Sequence, residues 1–444
     1  MKETQNFTKG NILTSLVRFA LPVLAALFLQ TMYGAVDMLV VGQFATAADV
    51  SAVSTGSWLM QLITSFVVGI AMGTTVLLGR KLGEGKPEEA GKIIGASVVL
   101  FLLIGVVITF LMELCAVPVA RIMQTPPEAF DATVMYVRIC SAGSLFIVAY
   151  NVLGSIFRGI GDSRMPLITV AIACVFNIAG DFLLVGVFGL ATAGAAIATV
   201  TGYMIPAVIG LLYFACSRRS LWLVRPRMEK GELKDTCING SSEMVTNLSS
   251  GIITFLFNLT MMRFAGEDGV AAITIIQYSQ FLLNALFMGF SQGVSPVISF
   301  NYGSRNQEQL RQVFKTSLLF TLATSAATFL LAQLGGSIVV GIFAEPGSPV
   351  YGLARHGFTI FAFSFLFSGF TIFASALFTA LSDGRISAVI SFVRTFGLII
   401  TSLMVLPFLI GVDGVWLAIP IAELGSTLLS LYYRKRYTQV YQYA

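Results

Sequence analysis

The sequence predicts an all-α polytopic membrane protein with twelve transmembrane helices in two pseudo-symmetric six-helix bundles. Of its 444 residues, 56% are hydrophobic and 11% are charged, whereas a soluble protein of this size carries about 25% charged residues. Apolar runs of roughly 20 residues recur from end to end, and each is long enough to cross a ~30 Å hydrocarbon core. Composition and run length together indicate a helical protein that crosses the membrane many times.

Twelve apolar runs define the predicted spans. The first run is too long for the apolar region of a cleavable signal and has no clear cleavage site, so we expect it to remain as a span. The spans are predicted at residues 14–41, 52–78, 92–116, 133–157, 164–186, 193–216, 236–262, 270–298, 311–334, 354–380, 386–410 and 414–433.

Basic residues in alternate loops set the predicted topology. They follow the even-numbered spans, and the largest group lies between spans six and seven. By the positive-inside rule, both termini and the linker at residues 217–235 are cytoplasmic. The linker separates an amino-terminal lobe at residues 1–216 from a carboxy-terminal lobe at residues 236–444.

The two lobes are related by an internal repeat. Adding 220 to a residue number in the first half leads to the same residue type in the second half at Gly69, Gly73, Gly83 and Pro126, among others. Each copy has six spans, an even number, so both copies enter the membrane in the same sense. The copies should then be related by an axis along the membrane normal, with a cavity between them, as in secondary transporters.

Four polar residues converge in depth within the first lobe. Asn177 and Asp181 are four residues apart on span five and therefore share one helix face. Asp37 on span one and Thr199 on span six should lie at a similar distance below the outer surface. These oxygen ligands suit Na⁺, and two close carboxylates equally suit a shared proton. The alternative is that Asp37 is solvated at the headgroups and that Asn177 makes an interhelical hydrogen bond.

The ungapped repeat, the Asp37-Met-Leu-Val-Val-Gly segment, the Asn177–Asp181 pair and Thr199 together resemble the multidrug and toxic compound extrusion (MATE) family. The resemblance covers essentially the whole chain and is strongest to the DinF-type branch. In that branch, an acid on span one, an Asn and an Asp on span five and a Thr on span six form a cation site in the amino-terminal lobe. The resemblance assigns these roles to Asp37, Asn177, Asp181 and Thr199.

The resemblance also implies a fold and an activity. The fold would be two six-helix bundles around a central V-shaped cavity that opens alternately to each side of a bacterial inner membrane. The activity would be export of organic, often cationic, drug-like compounds in exchange for Na⁺ or H⁺. We expect no cofactor beyond the coupling ion, no nucleic-acid partner and no enzymatic activity. One chain contains both halves of the cavity, so a monomer among membrane lipids should suffice.

The second lobe departs from the first. The position equivalent to Asp37 is Phe257, and span ten lacks the acid that NorM-type members carry there. Glu243 matches an acid that many members have on span seven, where it would take a proton or attract a cationic substrate. Equally, it is a glutamate at the start of a helix near the cytoplasmic interface, which the helix dipole favours.

Several further residues are weaker candidates. Pro22 should kink span one. A bend there would move Asp37 relative to Asp181, which makes Pro22 a gating candidate. Arg394 on span eleven could pair with Glu423 on span twelve. Polar residues that could line the cavity are Gln61, Asn247, Gln277 and Tyr278.

Other functional classes fit the sequence less well. A lipid-linked precursor flippase of the same superfamily is the main alternative, and it would need a strongly basic cavity for phosphate groups. A channel would need a continuous polar pore, and an intramembrane enzyme would need a catalytic constellation. The sequence has no Walker motif, so ATP-driven transport by this chain is not expected. The five cysteines have no paired-ligand spacing and are expected to be free thiols.

Overall fold

The computed structural model of the chain describes residues 12–123, 125–216 and 230–443. Within these ranges, the regular elements are helices, and no strand is present. Residues 217–229, which make up most of the predicted linker, lie outside the described residues, and so do residues 1–11 and 444. The predicted cytoplasmic position of the termini stays a prediction. The predicted lobe boundaries at residues 216 and 236 stay predictions.

Seven α-helices and one π-helical segment form the first half. They are α1 Ile12–Phe44, α2 Ala47–Gly83, α3 Pro87–Ile122, α4 Pro127–Ala142, α5 Ser144–Gly159, α6 Arg164–Asp181, the π-helix Phe182–Val187 and α7 Ala191–Cys216. Predicted span four is a broken span, because α4 and α5 meet at Gly143 with a bend of 53°. A β-carbon at Gly143 would lie 2.5 Å from a methyl carbon of Val200, so only glycine allows α7 to approach the break.

The second half repeats this order, and a 3₁₀ turn and a π-helical segment interrupt its α-helices. Its elements are α8 Lys230–Gly303, α9 Gln307–Phe343, α10 Pro349–Phe361, the 3₁₀ turn Ala362–Ser364, α11 Phe365–Ala380, α12 Gly384–Phe392, the π-helix Val393–Ile399, α13 Ile400–Ile410 and α14 Val412–Tyr441. Predicted spans seven and eight both fall within α8. Gly266 interrupts α8 with φ 65° and ψ −154°, a conformation that glycine adopts without strain.

The helices have the length and composition of membrane spans. In the described part of the chain, nine helices qualify, and the bent pair α4–α5 adds a tenth. One of the nine covers Leu233–Gly303, which is 71 residues long and includes two predicted spans. Each of the twelve predicted spans lies within these helices or the interruptions described above, with α1 containing the first. The prediction of an all-α polytopic membrane protein is confirmed.

The described chain divides into two compact units. One contains residues 21–216 and 230–237, and the other contains residues 238–443 together with residues 12–20 of α1. The boundary within α1 therefore falls between Ala20 and Leu21, one residue before Pro22. Gly293 of α8 lies against Ala20, where a β-carbon would be 2.7 Å from the Ala20 Cα.

The internal repeat is also visible in the backbone. Left-handed residues end corresponding helices in both halves, and they occur at Gly85 and Arg305, Gly161 and Ser382, and Gly189 and Gly411. Each half also has its own apolar core. Tyr136 is buried in the first core and Trp416 in the second.

Candidate functional site

Asn177 and Asp181 occupy the last turn and a half of α6. Their side chains are 2% and 0% exposed, and they point to the same side of the helix because they are four residues apart. Neither carboxylate oxygen of Asp181 and neither polar atom of the Asn177 amide has a hydrogen-bond partner. Burying such groups without partners costs several kcal/mol, on the order of 1–3 for each neutral group and more for a charge. The pair is therefore a candidate for binding a ligand.

Close contact between α6 and α7 brings Thr199 towards this pair. A β-carbon at Gly180 would be 3.1 Å from the Cβ of Ala198, and one at Gly202 would be 3.1 Å from the Cβ of Asn177. Small residues at a helix crossing let the two backbones approach. As a result, Asn177 and Thr199 line one small pocket, together with Ala173, Gly202 and Tyr203.

The helix changes form immediately after Asp181. Residues Phe182–Val187 are π-helical, with i to i+5 hydrogen bonding in place of the α-helical pattern. Isolated π-helical turns insert one extra residue into a helix and are frequent at functional sites. The inserted residue rotates the side chains after Asp181 around the helix axis. Residues beyond the π-helical turn therefore point in a different direction from those in the part of the helix that carries the carboxylate.

Asp37 joins the site from α1. Its side chain is 7% exposed, and its carboxyl group interacts directly with that of Asp181. The contact does not satisfy Asp181, and one oxygen of Asp37 also lacks a hydrogen-bond partner. The structure thus brings the two predicted carboxylates together in a buried place. The alternative of a solvated Asp37 at the headgroups does not fit this burial.

Two carboxylates, an amide oxygen and a hydroxyl make up the predicted donor set, and the pocket contains two of the four residues, Asn177 and Thr199. These are hard oxygen ligands, which suit Na⁺, and the same pair of carboxylates could hold one proton between them. Among the described residues, no group of three or more His, Cys, Asp or Glu side chains is arranged to bind a metal. Hard oxygen ligands of this kind suit a monovalent cation or a proton better than a transition metal.

Tyr136 of α4 is a site residue that the sequence analysis missed. Its hydroxyl is 2.9 Å from the Ser57 hydroxyl on α2. The same hydroxyl interacts with the Thr199 side chain, and the Asp37 carboxylate is close enough to act on it electrostatically. Gly56 makes room for the ring, because a β-carbon there would lie 2.3 Å from it. The available signal was a tyrosine within an apolar run that also contains Tyr150, which resembles ordinary core packing.

Asp49 is a second missed residue, near the start of α2 in the same unit. Its side chain accepts hydrogen bonds from the Thr192 hydroxyl at 2.6 Å and from the Thr46 hydroxyl at 2.6 Å. It therefore completes a capping box with Thr46, the N-cap residue of α2, and ties the start of α2 to the start of α7. Thr199 lies two turns further along α7, so Asp49 helps to fix the position of the helix that carries it.

In the second unit, Glu243 contacts Gln292, with 3.5 Å between the amide nitrogen and a carboxylate oxygen. The predicted pairing of Arg394 with Glu423 is confirmed, since the Arg394 Nε lies 2.9 Å from a Glu423 oxygen. The cavity candidates differ in exposure. Gln61 and Tyr278 are exposed, and Gln277 and Asn247 are half-buried. Their role as lining residues stays a prediction.

Comparison with protein families gives two matches to a single family. The family model MatE matches residues 22–183 and residues 244–404, one stretch in each half of the chain. The two stretches are nearly equal in length and follow the spacing of the internal repeat. They include Asp37, Asn177 and Asp181 in the first stretch and Arg394 in the second.

Similar proteins cover nearly the entire chain. Probable multidrug resistance protein YoeA of Bacillus subtilis is 24% identical over 437 residues, covering 96% of this chain and 94% of the relative. Multidrug export protein MepA of Staphylococcus saprophyticus is 22% identical over 441 residues, covering 97% and 96%. A crystal structure of MATE in the bent conformation has the same fold, with a TM-score of 0.93, 22% identity and coverage of 100% and 98%.

Proposed function

Because the chain belongs to the MatE family, we propose that it is a secondary active multidrug efflux transporter that exchanges organic, often cationic, compounds for Na⁺ or H⁺ by alternating access. The observation that carries the ion coupling is the buried contact between the Asp37 and Asp181 carboxyl groups, which lack sufficient hydrogen-bond partners. Two like charges in a buried place favour uptake of a cation or a proton. The relatives named above carry multidrug names, which favours this function over a lipid-linked precursor flippase.

The coupling ion is assigned to Asp37, Asn177, Asp181 and Thr199. Binding from outside neutralises one negative charge and draws α1 towards α6 and α7. An ion drives transport only if it binds the two conformations with different affinity. The contact between Asp37 and Asp181 bridges α1 and α6, so a movement of α1 changes the site directly. The four-residue set also supports placement in the DinF-type branch.

Pro22 is assigned as the hinge of α1. Proline lacks an N–H group and cannot make the helical hydrogen bond, so a helix bends there easily. The division of the chain into two compact units falls one residue before Pro22. Residues 12–20 thus belong to one unit, whereas Asp37 belongs to the other. A bend at Pro22 would let ion binding at Asp37 change the orientation of α1.

The chain is a multi-pass membrane protein, and we assign it to the bacterial inner membrane with both termini in the cytoplasm. The basic residues of the alternate loops support this orientation. Its partners are then drug-like organic cations, the coupling ion and the surrounding lipids. All four residues assigned to the cation site belong to one chain, which supports function as a monomer.

Ethidium efflux from proteoliposomes tests the proposal. We expect an imposed Na⁺ gradient or pH gradient to drive efflux by the wild type, and the gradient that works identifies the ion. Asp181→Asn should lose this efflux, while Asp413→Asn at the outer end of α14 should retain it. Gradient-driven efflux that survives in Asp181→Asn would move the coupling site elsewhere. Absence of efflux with any tested cation would contradict the multidrug function.

A further inference from the structure

The carboxy-terminal unit contains a buried ion pair that the proposed function does not use. Arg394, in the π-helix between α12 and α13, donates through its Nε to a Glu423 oxygen on α14 at 2.9 Å, and a terminal nitrogen of the same guanidinium group contacts the same oxygen. The two side chains are 13% and 0% exposed. The other Glu423 oxygen is buried and has no hydrogen-bond partner in the described part of the chain. Arg394 is thus the cation that neutralises this carboxylate.

The internal repeat shows which residue of the first unit corresponds to Arg394. Asp162 and Asp383 stand at the start of corresponding helices, where each carboxylate accepts a hydrogen bond from the backbone N–H three residues later. Counting eleven residues onward from each aspartate leads to Ala173 in the first unit and to Arg394 in the second. Ala173 lines the pocket of the proposed ion site.

A second pair of landmarks fixes the position of Glu423. Gly194 of α7 and Gly414 of α14 both lie against the backbone of the preceding helix, because a β-carbon would be 3.0 Å from a backbone carbon atom at Gly194 and 2.3 Å at Gly414. Nine residues after these glycines come Tyr203 and Glu423. Tyr203 lines the same pocket as Ala173. The ion pair therefore lies in the second unit's counterpart of the ion pocket.

The amide and the hydroxyl of the first-unit pocket have apolar counterparts in the second unit. The same counting places Leu398 where the first unit has Asn177, and Ile419 where it has Thr199. Both apolar residues belong to the core of the second unit. The counterpart pocket thus combines one carboxylate with a guanidinium group, in place of the oxygen donors that suit a free cation.

The two units therefore differ in the source of the neutralising charge. In the proposed function, an ion from solution neutralises the carboxylates of the first unit. In the second unit, the positive charge is covalently attached as the Arg394 side chain. A further cation beside it would turn a neutral pair into a buried net positive charge, which is costly. The ion pair thus opposes ion uptake in the second unit.

We propose that Arg394 is a built-in cation, which fills the second unit's counterpart of the ion pocket and neutralises Glu423, so that only the first unit takes up the coupling ion. Removal of the arginine side chain should turn this place into a binding site for a free guanidinium compound. The inference rests on the proposed function only where it says which unit takes the coupling ion. The occupation of the pocket by Arg394 is measured without any transported compound.

Thermal unfolding of the full chain in lipid nanodiscs, with choline as the background cation, tests the proposal. Arg394→Ala should melt at a lower temperature than the wild type, because Glu423 is left buried without its partner. Ethylguanidinium is the part of the arginine side chain that alanine lacks. It should restore most of the lost melting temperature in a saturable manner, since a ligand that binds only the folded state stabilises it. Ethylurea, the uncharged analogue, should not.

Two further variants serve as controls. Arg394→Ala combined with Glu423→Gln should not respond to ethylguanidinium, because no carboxylate remains in the pocket. Arg138→Ala removes the arginine of an exposed ion pair with Glu113, whose nitrogen and oxygen are 3.2 Å apart and whose side chains are 53% and 52% exposed. This variant should not respond either, since water already hydrates the glutamate.

The inference is overturned if ethylguanidinium fails to stabilise Arg394→Ala, or stabilises the wild type or either control equally. If Arg394→Ala does not fold, the combination with Glu423→Gln should fold, because it also removes the buried charge. Failure of both to fold would show that the arginine is required for packing rather than for its charge, which would also overturn the inference.

A last comparison separates the inference from the proposed function. An ion-dependent stabilisation that remains in Asp181→Asn, and that disappears when Arg394→Ala and Glu423→Gln are added, would place a coupling ion in the second unit and contradict the inference. If drug efflux fails while Arg394→Ala responds to ethylguanidinium as expected, the multidrug function alone is wrong.

Discussion

At the scale of single residues, the site depends on buried polar groups that lack partners. Asp181 and Asn177 have no hydrogen bonds from their polar side-chain atoms, and Asp37 adds a second carboxylate to the same place. Such an arrangement destabilises the ion-free protein, because two charges are desolvated next to one another. It also creates affinity, because any cation that enters relieves the same cost.

Asp181→Asn should therefore raise the stability of the ion-free protein while removing ion coupling. We expect an increase of roughly 1–3 kcal/mol in the free energy of unfolding, since one uncompensated buried charge disappears. Thermal unfolding in lipid nanodiscs at neutral pH, with choline as the only cation, measures this effect. A lower melting temperature than wild type would show that the carboxylate has a partner and would contradict the proposed site.

The coupling ion should also stabilise the wild type by mass action. A ligand at 100 times its dissociation constant adds about 2.7 kcal/mol to a protein that binds it only when folded. If Na⁺ is the ion, replacing choline with Na⁺ should raise the melting temperature of the wild type but not of Asp181→Asn. A rise on acidification with no effect of Na⁺ would identify the proton instead. A variant that responds to the ion as strongly as the wild type would contradict the assignment of Asp181.

Tyr136→Phe should weaken ion binding without unfolding the protein. The substitution removes a hydroxyl that contacts Ser57 and Thr199, and one such hydrogen bond is worth about 1 kcal/mol, or roughly a fivefold change in affinity. The measurement is the ion concentration that gives half-maximal efflux. Tyr351→Phe, near the start of α10, is the matched control. An unchanged half-maximal concentration in Tyr136→Phe would reduce the tyrosine to a packing residue.

At the scale of elements, glycines set how closely α6 and α7 approach. Because Gly180 and Gly202 have no side chain, each leaves room for the Cβ atom of a residue on the opposite helix. The close approach has a direct consequence for the site, because it places the hydroxyl of Thr199 in the same pocket as the amide of Asn177. The π-helical turn after Asp181 then changes the direction in which the side chains beyond it point.

Gly202→Ala should separate these two helices by a few tenths of an ångström. Its new methyl group would lie 3.1 Å from the Cβ of Asn177, and overpacking of this kind costs roughly 1–3 kcal/mol. We expect a lower melting temperature together with weaker ion coupling in the efflux measurement. Gly335→Ala on α9 is the control, because nothing lies within 4 Å of its β-carbon. Equal behaviour of the two variants would show that the crossing tolerates a wider spacing.

At the scale of the whole molecule, α1 is the element shared between the two compact units. Its first described residues belong to the carboxy-terminal unit, and its remainder, with Asp37, belongs to the amino-terminal unit. Pro22 lies at the start of the second part. A single helix that takes part in both units can communicate the state of the ion site along the chain.

Pro22→Ala should slow transport without impairing folding. Alanine restores the helical hydrogen bond and stiffens α1, so we expect a lower maximal efflux rate and an equal or higher melting temperature. Pro407→Ala, which changes a proline near the end of α13, is the matched control for a general effect of stiffening. Transport by Pro22→Ala at the wild-type rate would remove the basis for the hinge.

The sequence by itself determined the membrane class, the positions of the spans, the internal repeat and the acid and amide on one face of span five. These features depend on hydrophobicity and helical periodicity, which are local properties of the chain. Only the tertiary structure brought Tyr136 to Ser57 and tied Asp49 to Thr192. Such contacts join residues far apart in sequence, and they depend on which helix faces meet and how closely glycines let them approach. Helical periodicity specifies a face of a helix, but packing decides what that face meets.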